Sequence, residues 1–110
     1  MVKKSFFTTS QNRVVYYELD YRENTEVVVF LNGLSDSIES WNPVKAYFKG
    51  NQSTLFIDLI GQGKSMVEEI NKRESHNLDF KISVEEQALA IKEVWDSLKI
   101  NSKFHLLGFS

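Results

Sequence analysis

The run Lys103-Phe104-His105-Leu106-Leu107-Gly108-Phe109-Ser110 is a short apolar strand that leads into Gly-x-Ser. That is the front half of a G-x-S-x-G pattern, in which a strand, a sharp turn and a helix hold a serine hydroxyl clear of the sheet. Glycine two residues before the serine suits a strained, closely packed turn. A serine is a weak nucleophile until a base takes its proton, so Ser110 is a candidate only in company with other groups.

Immediately upstream, Ser83 to Leu98 reads as a helix. Val84, Ala88, Ile91, Trp95 and Leu98 recur at helical spacing and predict one apolar face. Ser83 followed by Glu86 is a capping box. Glu85, Glu86, Lys92 and Glu93 form the expected solvated face. Further back, Glu26-Val27-Val28-Val29-Phe30-Leu31 and Ser53-Thr54-Leu55-Phe56-Ile57-Asp58 are apolar runs without alternation, the pattern of strands covered on both faces of a parallel sheet. Between them lies a loop, Asn32 to Ser37, and then a helix start with Asn42 as N-cap, Pro43 at the first helical position and Gly50 as the stop. At the amino end, Lys3 to Thr9 and Asn12 to Asp20 are β-prone runs separated by Ser10-Gln11, which predicts an antiparallel hairpin. Met66 to Lys81 is charged and irregular, with room for a short helix. Strands alternating with helices after the hairpin predict an α/β fold with a mostly parallel sheet.

The 110 residues amount to one domain at most, and a hydrophobic share of 42% is enough for a core. A net charge of −2, with lysines and arginines scattered, argues against a nucleic-acid surface. There is no cysteine, which excludes disulfides, thiolate catalysis and cysteine-ligated metals and fits a reducing compartment. The basic opening Met1 to Thr9 has too short an apolar run for a secretion signal, and no run is long enough to span a membrane. The expected setting is cytoplasmic, with neither nucleic acid nor membrane as a partner and with no cofactor and no metal.

Three segments follow the carboxyl ends of the buried strands: Asn32-Gly33-Leu34, Asp58 through Ser65, and Gly108-Phe109-Ser110. Open α/β sheets place their binding crevices there. In order and spacing these segments resemble the α/β-hydrolase family, in its serine-nucleophile branch. The resemblance covers essentially the whole chain and corresponds to the first half of that domain, a truncated α/β-hydrolase fold ending at the nucleophile elbow. It implies a serine hydrolase acting by acyl transfer on a small-molecule ester, thioester, lactone or related carbonyl substrate. It implies Ser110 as nucleophile and Leu34 as a backbone N–H donor to the oxyanion, with the second donor following Ser110. Asn32, Gly33 and Phe109 fall on the substrate side. The family's loop usually begins His-Gly, so Asn32 stands where a histidine is common; the donor is backbone, and the change bears on local hydrogen bonding. Asp58 to Ser65 matches D-x-x-G-x-G-x-S and is expected to be structural, with Asp58 and Ser65 bonding loop backbone. The triad's acid and histidine follow the serine in chain order, which places both beyond residue 110.

A phosphate-binding loop is a rival reading of Gly63-Lys64-Ser65. That motif needs a glycine five residues before Gly63, and Asp58 stands there, setting a carboxylate against the phosphates. His105 is expected inside the sheet and His76 in solvent, and neither is promoted to a base. Trp41, Trp95 and the phenylalanines are expected in the core. A reading of a different class is a non-catalytic product, a truncated or split-gene fragment that needs a complementing C-terminal half. On that view Phe104 and Leu106 form an open apolar edge, and the chain alone aggregates or depends on a partner.

Overall fold

The computed structural model describes residues 2–33, 36–48, 52–72 and 82–108. The elements are β1 (Val2–Thr8), β2 (Val14–Asp20), β3 (Val27–Leu31), a 3-10 turn (Ile38–Trp41), α1 (Asn42–Phe48), β4 (Ser53–Asp58), α2 (Gly63–Lys72), α3 (Val84–Leu98) and β5 (Phe104–Gly108). Among the described residues, five strands form one mixed sheet in the order β1-β2-β4-β3-β5. β3 lies between β4 and β5 and is parallel to both, the parallel pairing being what the unbroken apolar runs predict. The predicted hairpin β1–β2 is antiparallel and joins β4 through a second antiparallel ladder.

The hairpin turn is longer than Ser10-Gln11. Thr9 and Arg13 close it, with Thr9 N–H donating to the Arg13 carbonyl at 2.7 Å, and Asn12 adopts a left-handed φ of 61° that asparagine tolerates. The turn is tied down from two sides. Glu93 of α3 accepts from the Ser10 backbone and hydroxyl at 2.6 and 2.8 Å, so this residue of the expected solvated face is engaged. Arg13 Nε donates to Glu69 Oε1 of α2 at 2.6 Å in a pair that is almost fully buried. Removing one member of such a pair leaves a buried charge uncompensated.

Both faces of the central strands are covered, each by its own cluster. Val15, Leu19, Val27, Val29, Leu55 and Ile57 pack beneath Ala90 and Val94 of α3. On the other face Phe30 stacks on Phe56 at 4.5 Å and meets Trp41 edge-on at 4.9 Å. The strands β3 and β4 feed both clusters, which is why their sequences lack alternation.

The buried side of α3 is rotated from the predicted stripe. Ile91, Trp95 and Leu98 do pack on the core, but Ala90 and Val94 are its most buried residues. Ala88 is exposed, and Val84 is 81% exposed. The predicted stripe left out Ala90 and Val94 and included Val84 and Ala88, whose side chains face solvent. The cap is as predicted: Ser83 Oγ accepts from the Glu86 N–H at 3.1 Å.

Two helix starts differ from the sequence reading. Asn42 is not an N-cap: the 3-10 turn has already begun at Ile38, and Asn42 is helical with φ −51° and ψ −44°. The helix α2 begins at Gly63, inside the stretch read as loop, because Asp58 supplies an acceptor at its amino end. The expected helix stop at Gly50 lies outside the described residues.

Candidate active site

In the parallel register, Leu31 at the end of β3 is opposite Ile57 of β4 and Gly108 of β5. The carboxyl ends of three strands therefore lie side by side, at the roughly 4.8 Å spacing of a sheet. Asn32 and Asp58 are the next residues on their strands, and both are buried. Asn32 Nδ2 donates to Asp58 Oδ1 at 2.9 Å, and Asn32 Oδ1 accepts from Trp41 Nε1 at 2.6 Å.

Asp58 gathers further donors. Its Oδ1 also accepts from the Ile38 backbone N–H at 2.8 Å, and its Oδ2 from the Lys64 N–H at 3.0 Å. One carboxylate thus fastens both ends of the loop between Asn32 and Ile38 and the first turn of α2. Burial pushes the Asp58 carboxyl above its ordinary value, while the Lys64 and Ile38 N–H donors oppose that shift. Ser65 completes the joint: its Oγ donates to the Asp58 carbonyl at 2.5 Å and accepts from the Tyr16 N–H at 2.7 Å. This is the structural role the sequence assigns to Asp58 and Ser65. Gly63 is required here, with φ +49° and a position where a Cβ would lie 2.5 Å from Asp58 Oδ2. The carboxylate also occupies the amino end of α2, the place a phosphate loop keeps free for its anion.

Beside this joint a cleft of about 270 Å³ is lined by Asn32, Gly33, Asp36, Ser40, Trp41 and Val44. Of the sequence-predicted site residues, Asn32 and Gly33 meet in it. Leu34, Phe109 and Ser110 lie outside the described residues, as does His76. Asp36, Ser40, Trp41 and Val44 were missed. A signal existed for Trp41, since a buried indole N–H needs an acceptor and Asn32 is the polar residue that ends an apolar strand. His105 is not inside the sheet: its side chain is 62% exposed, with Nε2 3.5 Å from Glu26 Oε1, because among the described residues β5 is the last strand of the sheet.

A second cleft, of about 230 Å³, lies over the amino half of β4 against β2 and α1. Its lining balances Lys4 and Lys45 against Glu18 and Asp20, away from the strand carboxyl ends. There Lys45 Nζ reaches Glu18 Oε1 at 3.2 Å and Tyr16 donates to Glu18 Oε2 at 2.9 Å. Burial, followed by the hydrogen bond to Glu18, pushes the Tyr16 phenol up to about 12. Among the described residues, no group of three or more His, Cys, Asp or Glu could hold a metal ion, and no helix is long and apolar enough to cross a membrane.

No protein-family model matches the chain, and no curated protein does. Solved structures match closely. A hydrolase from Pseudomonas aeruginosa superposes with a TM-score of 0.76 at 20% identity, over 97% of this chain and 36% of its own. MGS-M2, an α/β-hydrolase enzyme from a Medee basin deep-sea metagenome, gives 0.72 at 28% identity, over 96% and 35%. The Cif epoxide hydrolase from Acinetobacter nosocomialis gives 0.74 at 14% identity, over 99% and 30%. The architecture is that of the α/β-hydrolase fold family. The chain spans about a third of the length of the solved structures it matches, and those neighbours are hydrolases.

Proposed function

We propose that this chain carries the nucleophile and the oxyanion loop of a serine hydrolase. The observation that supports the reading most is the alignment of Leu31 with Gly108 on adjacent parallel strands, with Asn32 and Gly33 opening the cleft just beyond. The donor loop and the Gly-x-Ser segment then leave the same end of the sheet. In this reading a base removes the Ser110 proton as Oγ attacks a carbonyl carbon. The carbonyl oxygen takes the electron pair, and the Leu34 N–H helps hold that oxyanion. The tetrahedral adduct collapses, the leaving group departs with the proton from the base, and water releases the acyl group by the same steps.

Asn32 serves this chemistry at one remove. Its side chain is spent on Asp58 and Trp41, so it fixes the start of the donor loop and leaves the donor to the backbone. The serine favours esters, thioesters, lactones and related carbonyl compounds over epoxides and halides, whose hydrolases use an aspartate nucleophile. The triad acid and histidine come from residues outside these 110. The test is a pre-steady-state burst with an activated ester. The chain alone should give none, and the chain joined to a segment that supplies acid and histidine should give one that Ser110→Ala removes. A burst that survives Ser110→Ala would falsify the assignment.

A further inference from the structure

The second cleft lies on the α1 side of the sheet, bordered by α1 and the strands β1, β2 and β4. The strand β3 stands between these and β5, so the walls owe nothing to the Gly-x-Ser segment. Val2, Ala46, Phe48 and Phe56 make them largely apolar. The volume of about 230 Å³ holds roughly eight atoms of water size, at about 30 Å³ each. That is less than the pocket of a drug-sized ligand. The cleft therefore suits a short molecule with an apolar body.

The charges at the rim decide which head group that body carries. Lys4 is opposite Glu18 in the β1–β2 register, and both border the cleft. Lys45 Nζ reaches Glu18 Oε1 at 3.2 Å, and Glu18 Oε2 accepts from Tyr16, so both oxygens of this carboxylate are taken. Asp20 has the Arg22 guanidinium 3.5 Å away. Among the described residues Lys4 has no ion pair, and its charge is the one left over. Lys45 also lies 4.9 Å above the Phe56 ring, which brings its ammonium to the edge of the apolar floor. A carboxylate deep among apolar walls would lose its hydration unpaired, whereas at this rim it meets two ammonium groups.

We propose that this cleft binds a small monocarboxylate, with its apolar body against Phe48 and Phe56 and its head between Lys4 and Lys45. One negative charge matches the one uncompensated ammonium. A dianion would press on Glu18 and Asp20, and a cationic ligand would meet Lys4 with no free oxygen on Glu18 to offset it. Hexanoate and benzoate have the size and charge required. Acids of this class are what the proposed acyl transfer releases, yet the cleft stands on its own geometry, whether or not Ser110 is catalytic.

The probe is hexanoate, titrated into the isotope-labelled chain and followed by amide NMR. The chain carries Leu106→Lys to limit association, a change on the α3 face, opposite the cleft. Saturable shifts are expected at Lys4, Ala46 and Thr54, with Trp95 of α3 unmoved as an internal control. Hexanol and hexylammonium should bind about tenfold more weakly or not at all, since each lacks the charge-assisted bond to lysine. Lys4→Met keeps an apolar stem and should weaken hexanoate by about tenfold. Ala46→Leu should abolish binding by filling the cleft; Ala46 is exposed, so the unfolding midpoint stays where it was. Three results overturn the proposal: shifts that do not saturate or that spread to the α3 face, hexanol or hexylammonium binding as tightly as hexanoate, or hexanoate affinity unchanged in both variants.

Discussion

Asp58→Asn removes one acceptor from the joint at the strand ends while keeping the side chain's size. The carboxylate serves three donors, from Asn32, Ile38 and Lys64, at 2.8 to 3.0 Å. An amide has one oxygen. If that oxygen stays with Asn32 and Ile38, the NH₂ group faces the Lys64 N–H and two donors collide. A buried donor left unpaired costs about 1–3 kcal/mol. Loss of a negative charge at the amino end of α2 adds about 0.3–1 kcal/mol. Against these stands the relief of burying a carboxylate, which the raised pKa signals. The net expectation is a loss of about 2 kcal/mol, or roughly 10 °C in Tm for a chain of this size. The assay is urea and thermal unfolding by circular dichroism, run in a Leu106→Lys background that keeps the β5 edge soluble. Trp41 fluorescence gives a second readout, because its indole N–H bonds the same network through Asn32. Asp58→Asn as stable as its parent, with unchanged Trp41 emission, would refute the claim that this carboxylate fastens the loop.

Gly63→Ala should cost about 2 kcal/mol or more, since it combines a left-handed φ with a Cβ driven into Asp58; equilibrium unfolding checks it. Tyr16 should titrate near 12 by ultraviolet difference spectroscopy, and Glu18→Gln should bring it partway back toward 10.0, leaving the part due to burial. Because its folded pKa is the higher one, stability from this group is intact below pH 10 and falls as pH rises from there through about 12. Leu106→Lys should convert an aggregating chain into one with lower scattered intensity at equal concentration, since a charge on an exposed apolar edge blocks edge-to-edge pairing.

The parts of the fold that were legible in the sequence were those with a redundant signal. The strands β3 and β4 and their parallel pairing announced themselves as unbroken apolar runs, and α3 as a capped helix. The predicted face of α3 missed because periodicity marks which residues are apolar and not where the sheet ends, so Val84 was counted as core although it projects into solvent. The start of α2 was hidden because its cap is Asp58, on the preceding strand and not at the local N-cap position. His105 was misjudged for a related reason: an apolar strand reads as interior, and only the topology shows that β5 is the outermost of the described strands. At the site, Asn32 and Gly33 were found by their position after a strand, whereas the bond from Trp41 to Asn32 spans a loop whose path no local pattern records.

In the proposed function, Ser110 is a nucleophile that takes its base from outside these residues. Labelling by a fluorophosphonate, located by tandem mass spectrometry, tests it most directly. The predicted result is no adduct on the chain alone and a single adduct at Ser110 once the chain is joined to a segment carrying the acid and histidine, since triad members act as a unit. Stoichiometric labelling of Ser110 in the chain alone, or an adduct at any other residue of the joined protein, would contradict it.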